Sequence, residues 1–296
     1  MRRARVKKLL LLPHIIVHNA NALSSPFTIG FPAMTAWLGA THALQRKLNA
    51  DGFDTLRFNA TGVVNHQADL QTFKGEGDYV HSIIGTGNPL DKDGKRPSFI
   101  EEARIHLDVS LVIEYDGLDE DERERFEKRV SHHLRGRMKI AGGDIFGCKA
   151  PLLMKVKNGD EKQLAILSRK LMPGYAIIER RELMIEAMSK GFNAMDALLD
   201  YLLIHNRCEE KNEKVIWHRE KREKGWIVPI SIGFQGLSEL GKAKNQRDEK
   251  TPHRFAESVV TLGEFKMPYK IESVDEILWR YSYDKENALY LCEQDK

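Results

Sequence analysis

The residues of this sequence best suited to chemistry are those that would grip a phosphate backbone. Arg135, Arg137, Lys139, Lys149, Lys155 and Lys157 crowd residues 135–157 against Asp144 alone, a local net charge of +5 around the turn Gly142-Gly143. Residues 2–8 carry five cations and no anion; residues 242–254 carry five, Arg247 and Arg254 among them, against Asp248 and Glu249. Basic charge gathered at glycine-rich turns suits local, sequence-independent binding of nucleic acid. Solvated faces of unrelated elements give the same local charge, so charge alone leaves both readings open. A second group lies at 19–31, where Asn19, Asn21, Ser24 and Ser25 offer donors and acceptors that can read base edges or ribose hydroxyls. Thr28, Gly30 and Phe31 then lead into Pro32, which suits a first helical position and leaves the cap without an obvious side-chain acceptor. Free N–H groups at such a helix start can face a phosphate. An Asx-rich turn that satisfies its own backbone is the competing reading.

Eleven histidines raise metal and acid–base chemistry. His132 and His133 adjoin on one predicted helix and point to different faces. His205 and His218 lie in a charged stretch without a matching carboxylate motif, and His42 sits one residue round from an apolar stripe. No pairing puts a base beside a substrate proton, as general-base catalysis requires. Each therefore reads as solvated or satisfied, and no catalytic residue, metal ligand or cofactor is assigned. Gly85-Thr-Gly87 and Gly94-Lys95 are fragments of a phosphate loop with the wrong spacing, and no Gly-x-Ser-x-Gly elbow occurs. Cys148, Cys208 and Cys292 form no Cys-x-x-Cys pair, which fits a reducing cytoplasm.

The elements that must position these residues belong to a chain of 296 residues with a net charge of +3, 42% hydrophobic and 30% charged. That excludes a disordered, collagenous or small disulfide-rich protein. The start imitates a secretory signal, but its apolar run from Leu9 to Val17 has nine residues interrupted by Pro13 and His14. A membrane span needs about 20; the run reads as a buried strand that Pro13 biases toward an edge or a bulge. Met34, Trp37, Leu38, Thr41, Leu44 and Leu48 follow helical spacing, and Leu56, Phe58, Ala60, Gly62 and Val64 alternate as a second strand. Ile105, Leu107, Val109, Leu111 and Ile113 alternate with a mainly polar face of His106, Asp108, Ser110, Val112 and Glu114, the clearest strand in the chain. A helix follows the acidic start at 119–122, with Phe126, Val130, His133 and Leu134 as its stripe and Gly136 closing it. A fourth strand is expected through 138–141 into the Gly142-Gly143 turn and Ile145-Phe146.

That order, β-α-β-β-α-β, predicts an α+β fold with a ferredoxin-like, RNA-recognition-motif-like unit over 1–150. Residues 67–100, with five glycines and two prolines, read as an inserted arm or hairpin. A mixed α/β extension occupies 151–296, with strands near 151–156 and 175–178, helices near 160–171, 180–190 and 193–205, and a charged helix or linker at 207–224. RNA-recognition domains stack bases on aromatics of the central strands. Here the first strand has no aromatic residue and the third only Tyr115 at its end, so RNA contacts are expected at loops and helix ends.

At these same residues the chain resembles a known family. Leu9-Leu-Leu-Leu-Pro, Asn19-Ala-Asn-Ala-x-Ser-Ser-Pro-x-Thr-x-Gly-Phe-Pro and His42-Ala-Leu-Gln-Arg46 look like the opening of the Csy-two family. The likeness continues through Asn88-Pro-Leu, Glu101-Glu-x-Arg-x-His-Leu-x-Val-Ser, Ala141-Gly-Gly, Leu171-x-Pro-Gly-Tyr175 and Asp196-Ala-Leu-Leu-Asp. Gly225-Trp-x-Val-Pro, Arg247-Asp-x-x-Thr-Pro-x-Arg-Phe255 and Leu262-Gly-Glu complete it, in order along nearly the whole chain. The family is the Cas-five-type subunit of the type I-F CRISPR surveillance complex. Its members carry a longer proline-rich linker at the position of 207–224 and extend further beyond Leu278-Trp279.

The resemblance implies a palm with an inserted thumb, mapped here to 67–100. It also implies a non-catalytic subunit that holds the 5′ handle of the guide RNA with the large subunit, beside backbone subunits. Target DNA is met only within the assembled complex, in the cytoplasm and away from membranes. Physical inference from residue type and charge, placed on the family's motifs, gives the expected RNA contacts as Asn19, Asn21, Ser24, Ser25, Thr28, Gly30, Phe31, Arg137, Lys139, Gly142, Gly143, Lys149, Arg247 and Arg254. Two other functions compete. One is a metal-independent guide-processing endoribonuclease using His18, His42 or His106 beside a Lys or Arg; the other is a pure scaffold for the large subunit.

Overall fold

The computed structural model describes residues 6–84, 90, 93–95, 102–211, 214–244, 246, 248 and 250–294. Strand β1 (Val6–Asn21) carries the leucine run, with Leu10 and Leu12 buried against one apolar cluster and Leu9 and Leu11 against another. A continuous apolar run is the pattern of a strand covered on both sides. The strand is internal, paired antiparallel with β7 (Arg104–Asp116) on one side and with β9 (Gly143–Gly147) and β10 (Leu152–Lys157) on the other. Strand β4 (Arg57–Leu70) lies beyond β7, again antiparallel. Taken by position in the chain, the sheet order is therefore second, third, first, fourth.

Pro13 sits at a bulge, as its type suggests, and not at an edge. The β1 register slips between Leu12 and Ile15 and again between Val17 and Ala20. His14 and Asn19, inside the two slips, take positive φ values of 50° and 56°. Each slip resets the alternation by one residue, so Leu10, Leu12, Ile15, Val17, Ala20 and Ala22 all join one core.

That core lies under α1 (Met34–Ala50) and α2 (Arg123–Gly136). Helix α1 starts after Ala33, two residues later than Pro32 would place it, and no side chain caps it. Among the described residues, the opposite face of the sheet is covered at one end only. There Leu9, Leu11, Val64 and Val112 meet Leu167 and Leu171 of α3 (Glu161–Leu171) and Val274, Ile277 and Leu278. Asp160 caps α3 by accepting the Lys162 and Gln163 backbone N–H groups at 3.1 Å.

Short hairpins decorate this unit: β2 (Leu23–Ser25) with β3 (Thr28–Ile29), and β5 (Thr72–Phe73) with β6 (Ser82–Ile83) in the expected inserted segment. The expected fourth strand through 138–141 is instead a small outer partner, β8 (Lys139–Ile140), turned back on β9. Residues 85–89, 91–92 and 96–100 of the expected arm lie outside the described residues.

The C-terminal half continues the same sheet, through β11 (Tyr175–Glu179), α4 (Arg181–Ser189), α5 (Ala194–Leu202) and on to β14 (Ile227–Gly236) and β15 (Ala256–Lys266). With β16 (Trp279–Asp284) and β17 (Leu289–Gln294), eleven strands share one mainly antiparallel sheet. Pairings run from β4 through β11, β15, β14, β17 and β16 back to β4, a closed circuit that hides its own edges. Trp279 is fully buried and donates its indole N–H to the Ile177 carbonyl at 3.0 Å. Segment 207–224 is neither helix nor linker. Strands β12 (His205–Lys211) and β13 (Lys214–Glu220) form a separate antiparallel hairpin that presents Trp217 to solvent. Among the described residues no helix is long and apolar enough to cross a membrane. The three cysteines are unpaired, and burial pushes the Cys292 thiol up to about 12, far from a reactive thiolate.

One ion cluster locks α1 to α2. Asp51, at the end of α1, accepts Arg129 Nε and Nη2 at 2.7 and 2.6 Å and His133 Nε2 at 2.6 Å. The Arg129 hydrogen bond, helped by His133, holds the Asp51 carboxyl well below the usual carboxylate range. A depressed folded value stabilises above the unfolded carboxylate pKa, about 3.9, and that contribution drains away as pH falls below it. Asp51→Ala is expected to cost about 2–3 kcal/mol at pH 7, since it removes charge-assisted hydrogen bonds. The gap between the two proteins should narrow between about pH 4 and pH 2, as urea unfolding at both ends will show. A gap that stays constant with pH would assign the loss to packing instead.

Candidate nucleic-acid interface

Among the described residues nothing packs over the other end of the sheet's second face, and rings line it. The bulges of β1 turn His14 and His18 onto this face, while the polar alternation of β7 puts His106, Asp108 and Ser110 beside them. His106 stacks on His18 with centroids 4.6 Å apart, and His18 stacks on Phe146 at 4.3 Å, with interplanar angles of 25° and 26°. Phe146 is 70% exposed, so one face of this three-ring rack is free to take a flat partner. A parallel pair lies alongside it, His14 stacked on His66 at 4.2 Å.

Glycine makes this assembly possible. Gly143 pairs beside Ile140 at the β8–β9 turn, and a Cβ there would lie 2.6 Å from the His18 carbonyl oxygen and 2.7 Å from the Ala20 nitrogen. No side chain fits that approach, so β9 closes on β1 only with glycine at 143. Gly142 turns with φ of 76°, and the Ala141 carbonyl accepts the Asn21 N–H at 2.8 Å. Between the paired residues Ile145 and Gly147, Phe146 falls at a register slip, which frees its ring from the ladder. The two sequence segments expected to bind RNA, 19–21 and 142–143, are thus direct neighbours.

The individual expected residues fare differently. Asn19 is exposed, its N–H donating to His106 Nδ1 at 3.1 Å and its carbonyl accepting from Arg104. Asn21 forms an Asx turn on Leu23, with contacts of 3.0 and 3.1 Å, which is the self-satisfying arrangement the sequence left open. Ser24 and Ser25 both bond the Thr28 hydroxyl, at 2.8 and 2.7 Å, and Ser25 and Thr28 are buried. Gly30 donates its N–H to the Ala22 carbonyl, and Phe31 stacks on Trp37 and meets the edge of Phe265, half-buried in the core. Their visible work is to build the turn.

On the basic side, Arg137 and Lys149 are exposed, and Lys139 pairs with exposed Asp144 at 2.8 Å across the hairpin. The Lys149 backbone N–H is held by the Pro13 carbonyl. Arg254 belongs to a different region, over Gly236 at the end of the β14–β15 hairpin, and Arg247 lies outside the described residues.

Sequence reasoning missed the ring rack because it weighed each histidine alone. The signal was present as His14, Ile16 and His18 at alternate positions of β1, opposite the polar face of β7. His42, the third histidine considered for catalysis, is on α1 and lines a separate cavity with Tyr281 and Tyr290. Burial first, then the neighbouring His14 and Lys149, hold His66 below the ordinary imidazole value, against the pull of the Pro173 carbonyl and Asp108. Its ring is therefore neutral at physiological pH.

A sheet face with stacked rings, flanked by exposed cations, combines the two features that single-stranded nucleic-acid sites use, stacking surface for a base and positive charge for the phosphate chain. The CRISPR-associated protein Csy2 of Pseudomonas aeruginosa (strain UCBPP-PA14) is 34% identical over 309 residues, covering 95% of this chain and 94% of that protein. The family model described as CRISPR-associated protein (Cas_Csy2) matches residues 10–292, so the chain belongs to the Cas_Csy2 family of CRISPR-associated proteins.

Proposed function

We propose that this chain is a non-catalytic RNA-binding subunit of a type I-F CRISPR Csy complex, holding the 5′ handle of the guide RNA together with the large subunit. The observation that carries the reading is the junction of the His106–His18–Phe146 rack with the Gly142-Gly143 turn on one open face. The strand order second, third, first, fourth supports a ferredoxin-like palm of the Cas-five type, which pairs with a large subunit and abuts backbone subunits in the cytoplasm. Target DNA would be met only in the assembled complex.

The test is co-purification with the large subunit and guide RNA, followed by crosslink mapping on protein and RNA. Crosslinks from 18–21 or 139–149 to the handle are expected. Handle crosslinks to the large subunit alone would leave this chain a scaffold. Guide RNA cut at one phosphate, with cutting lost in His18→Ala or His106→Ala, would make it a nuclease. The cations supply a second check. Lys139→Ala and Lys149→Ala should each lower the salt-dependence slope of RNA binding by about 0.7, the value for one lost phosphate contact on a single strand. Unchanged slopes in both variants would remove this turn from the interface.

A further inference from the structure

We propose that His14, His66 and Asp108 form a site for one divalent transition-metal ion of the zinc type, on the open sheet face beside the ring rack. One potential ligand atom from each of these residues lies within 4.8 Å of the other two. They come from three adjacent strands, β1, β4 and β7, so the backbone ladder holds them together. Two imidazole nitrogens and one carboxylate oxygen suit zinc and its neighbours in the first transition row, whereas magnesium and calcium take oxygen ligands.

Each donor is prepared for the role. His66 turns Nδ1 to the Pro173 carbonyl, which places its hydrogen there and leaves the Nε2 lone pair free of a proton. Nε2 faces the Ser110 hydroxyl at 2.7 Å, a contact that an entering ion would replace. Gly174 lets the Pro173 segment press this close, since a Cβ at 174 would lie 2.8 Å from His66 Nδ1. A backbone carbonyl on the far nitrogen of a histidine is how ligating imidazoles are oriented. His14 is thrust onto the face by the β1 bulge at φ of 50°, with its N–H donating to the Ser110 hydroxyl at 3.1 Å. Its Nδ1 lies 3.0 and 3.1 Å from the two Asp108 oxygens. Two ligands about 2.0–2.1 Å from a tetrahedral zinc stand roughly 3.3 Å apart, so the ion takes the place of the shared proton, and the His14 and His66 rings, stacked at 4.2 Å, rotate out of the stack to bring both lone pairs to it. That proton leaves to solvent as the ion enters. Water completes the coordination on the open side.

The experiment titrates the full chain, stripped with chelator and dialysed, with Zn²⁺ by calorimetry and with Co²⁺ by visible absorption. One Zn²⁺ per chain is expected, with proton release, d–d bands from Co²⁺ and a rise in melting temperature that Mg²⁺ does not produce. Asp108→Asn, which can still hydrogen-bond His14, and His14→Asn, which tolerates positive φ, should each weaken Zn²⁺ binding by at least about tenfold. Cys208→Ser, at an exposed thiol outside the cluster, should leave it unchanged. Absence of saturable Zn²⁺ binding up to millimolar concentration overturns the assignment. So does binding of unchanged affinity in both folded ligand variants, as judged by circular dichroism.

Discussion

Glu114→Ala is expected to destabilise the folded chain by about 3–5 kcal/mol, the range for removing one partner of a buried ion pair. Glu114 lies on β7 at the covered end of the sheet and accepts Lys7 Nζ at 2.9 Å and Arg280 Nη2 at 2.8 Å. The side chains of Lys7 and Glu114 are only 3% and 5% exposed. Without the carboxylate, the Lys7 ammonium keeps Asp275, at 2.8 Å, as its remaining carboxylate partner among the described residues. The large effect comes from leaving two cations of a buried cluster, Lys7 and Arg280, to share the one carboxylate of Asp275 rather than from the strength of any single pair. Removing both buried charges should therefore restore most of the loss: Lys7→Met with Glu114→Leu is expected to lie within about 2 kcal/mol of the parent. Urea unfolding of the three proteins at pH 7 measures this. A Glu114→Ala loss below about 1 kcal/mol would mean that Lys7 escapes to solvent and that the cluster is a surface pair in practice.

The second large effect concerns RNA. Phe146→Ala and His18→Ala should each weaken guide-RNA binding by about 1–3 kcal/mol, the contribution of one stacked base, which is roughly five- to 150-fold. Because Phe146 is 70% exposed, its removal should move folding stability by no more than about 0.5 kcal/mol, so affinity reads stacking and not unfolding. Phe146→Tyr keeps a ring and should keep most of the affinity. The salt slope should stay unchanged in the two Phe146 variants, since neither removes a charge and so neither changes counterion release. That separates these variants from Lys139→Ala and Lys149→Ala, whose signature is the slope. Full affinity in the Phe146→Ala, His18→Ala double variant would take the bases off this face, whatever the crosslinks show for the protein as a whole.

Both effects arise on the second face of one sheet, at opposite ends. At Val112 and Glu114 that face is sealed by α3, 271–278 and an ion cluster. At His106 and Asp108 nothing among the described elements covers it. The sealing supplies rigidity, and the bare end supplies rings and potential ligands on a backbone that cannot shift. Sites carried on strands with such support hold their geometry better than sites on loops.

Much of this was written in local pattern. The buried faces of α1 and α2 match the stripes read from spacing, down to Thr41 and His133 among the apolar residues. The β7 alternation and the β-α-β-β-α-β order were equally plain, because period 3.6 and period 2 are properties of consecutive residues. Family membership was legible for the same reason, as an ordered series of short motifs. What pairing decides was not legible. His14, Ile16 and His18 alternate together, but the bulge before Ile15 shifts their phase against Leu10 and Leu12, so a fixed period places them on the core face instead of beside His106 and Phe146. Segment 207–224 shows charge but hides its register, and the cross-strand pairing that makes it a hairpin appears only once the chain folds back. Asn21, Ser25 and Thr28 have the right chemistry for reading RNA, yet their donors and acceptors are already met within the turn. Residue type and spacing thus determined the first two helices, the three long strands of the first half, their order and the family. Long-range strand pairing decided which side chains meet, because register and bulges set direction across a sheet in a way no single strand encodes.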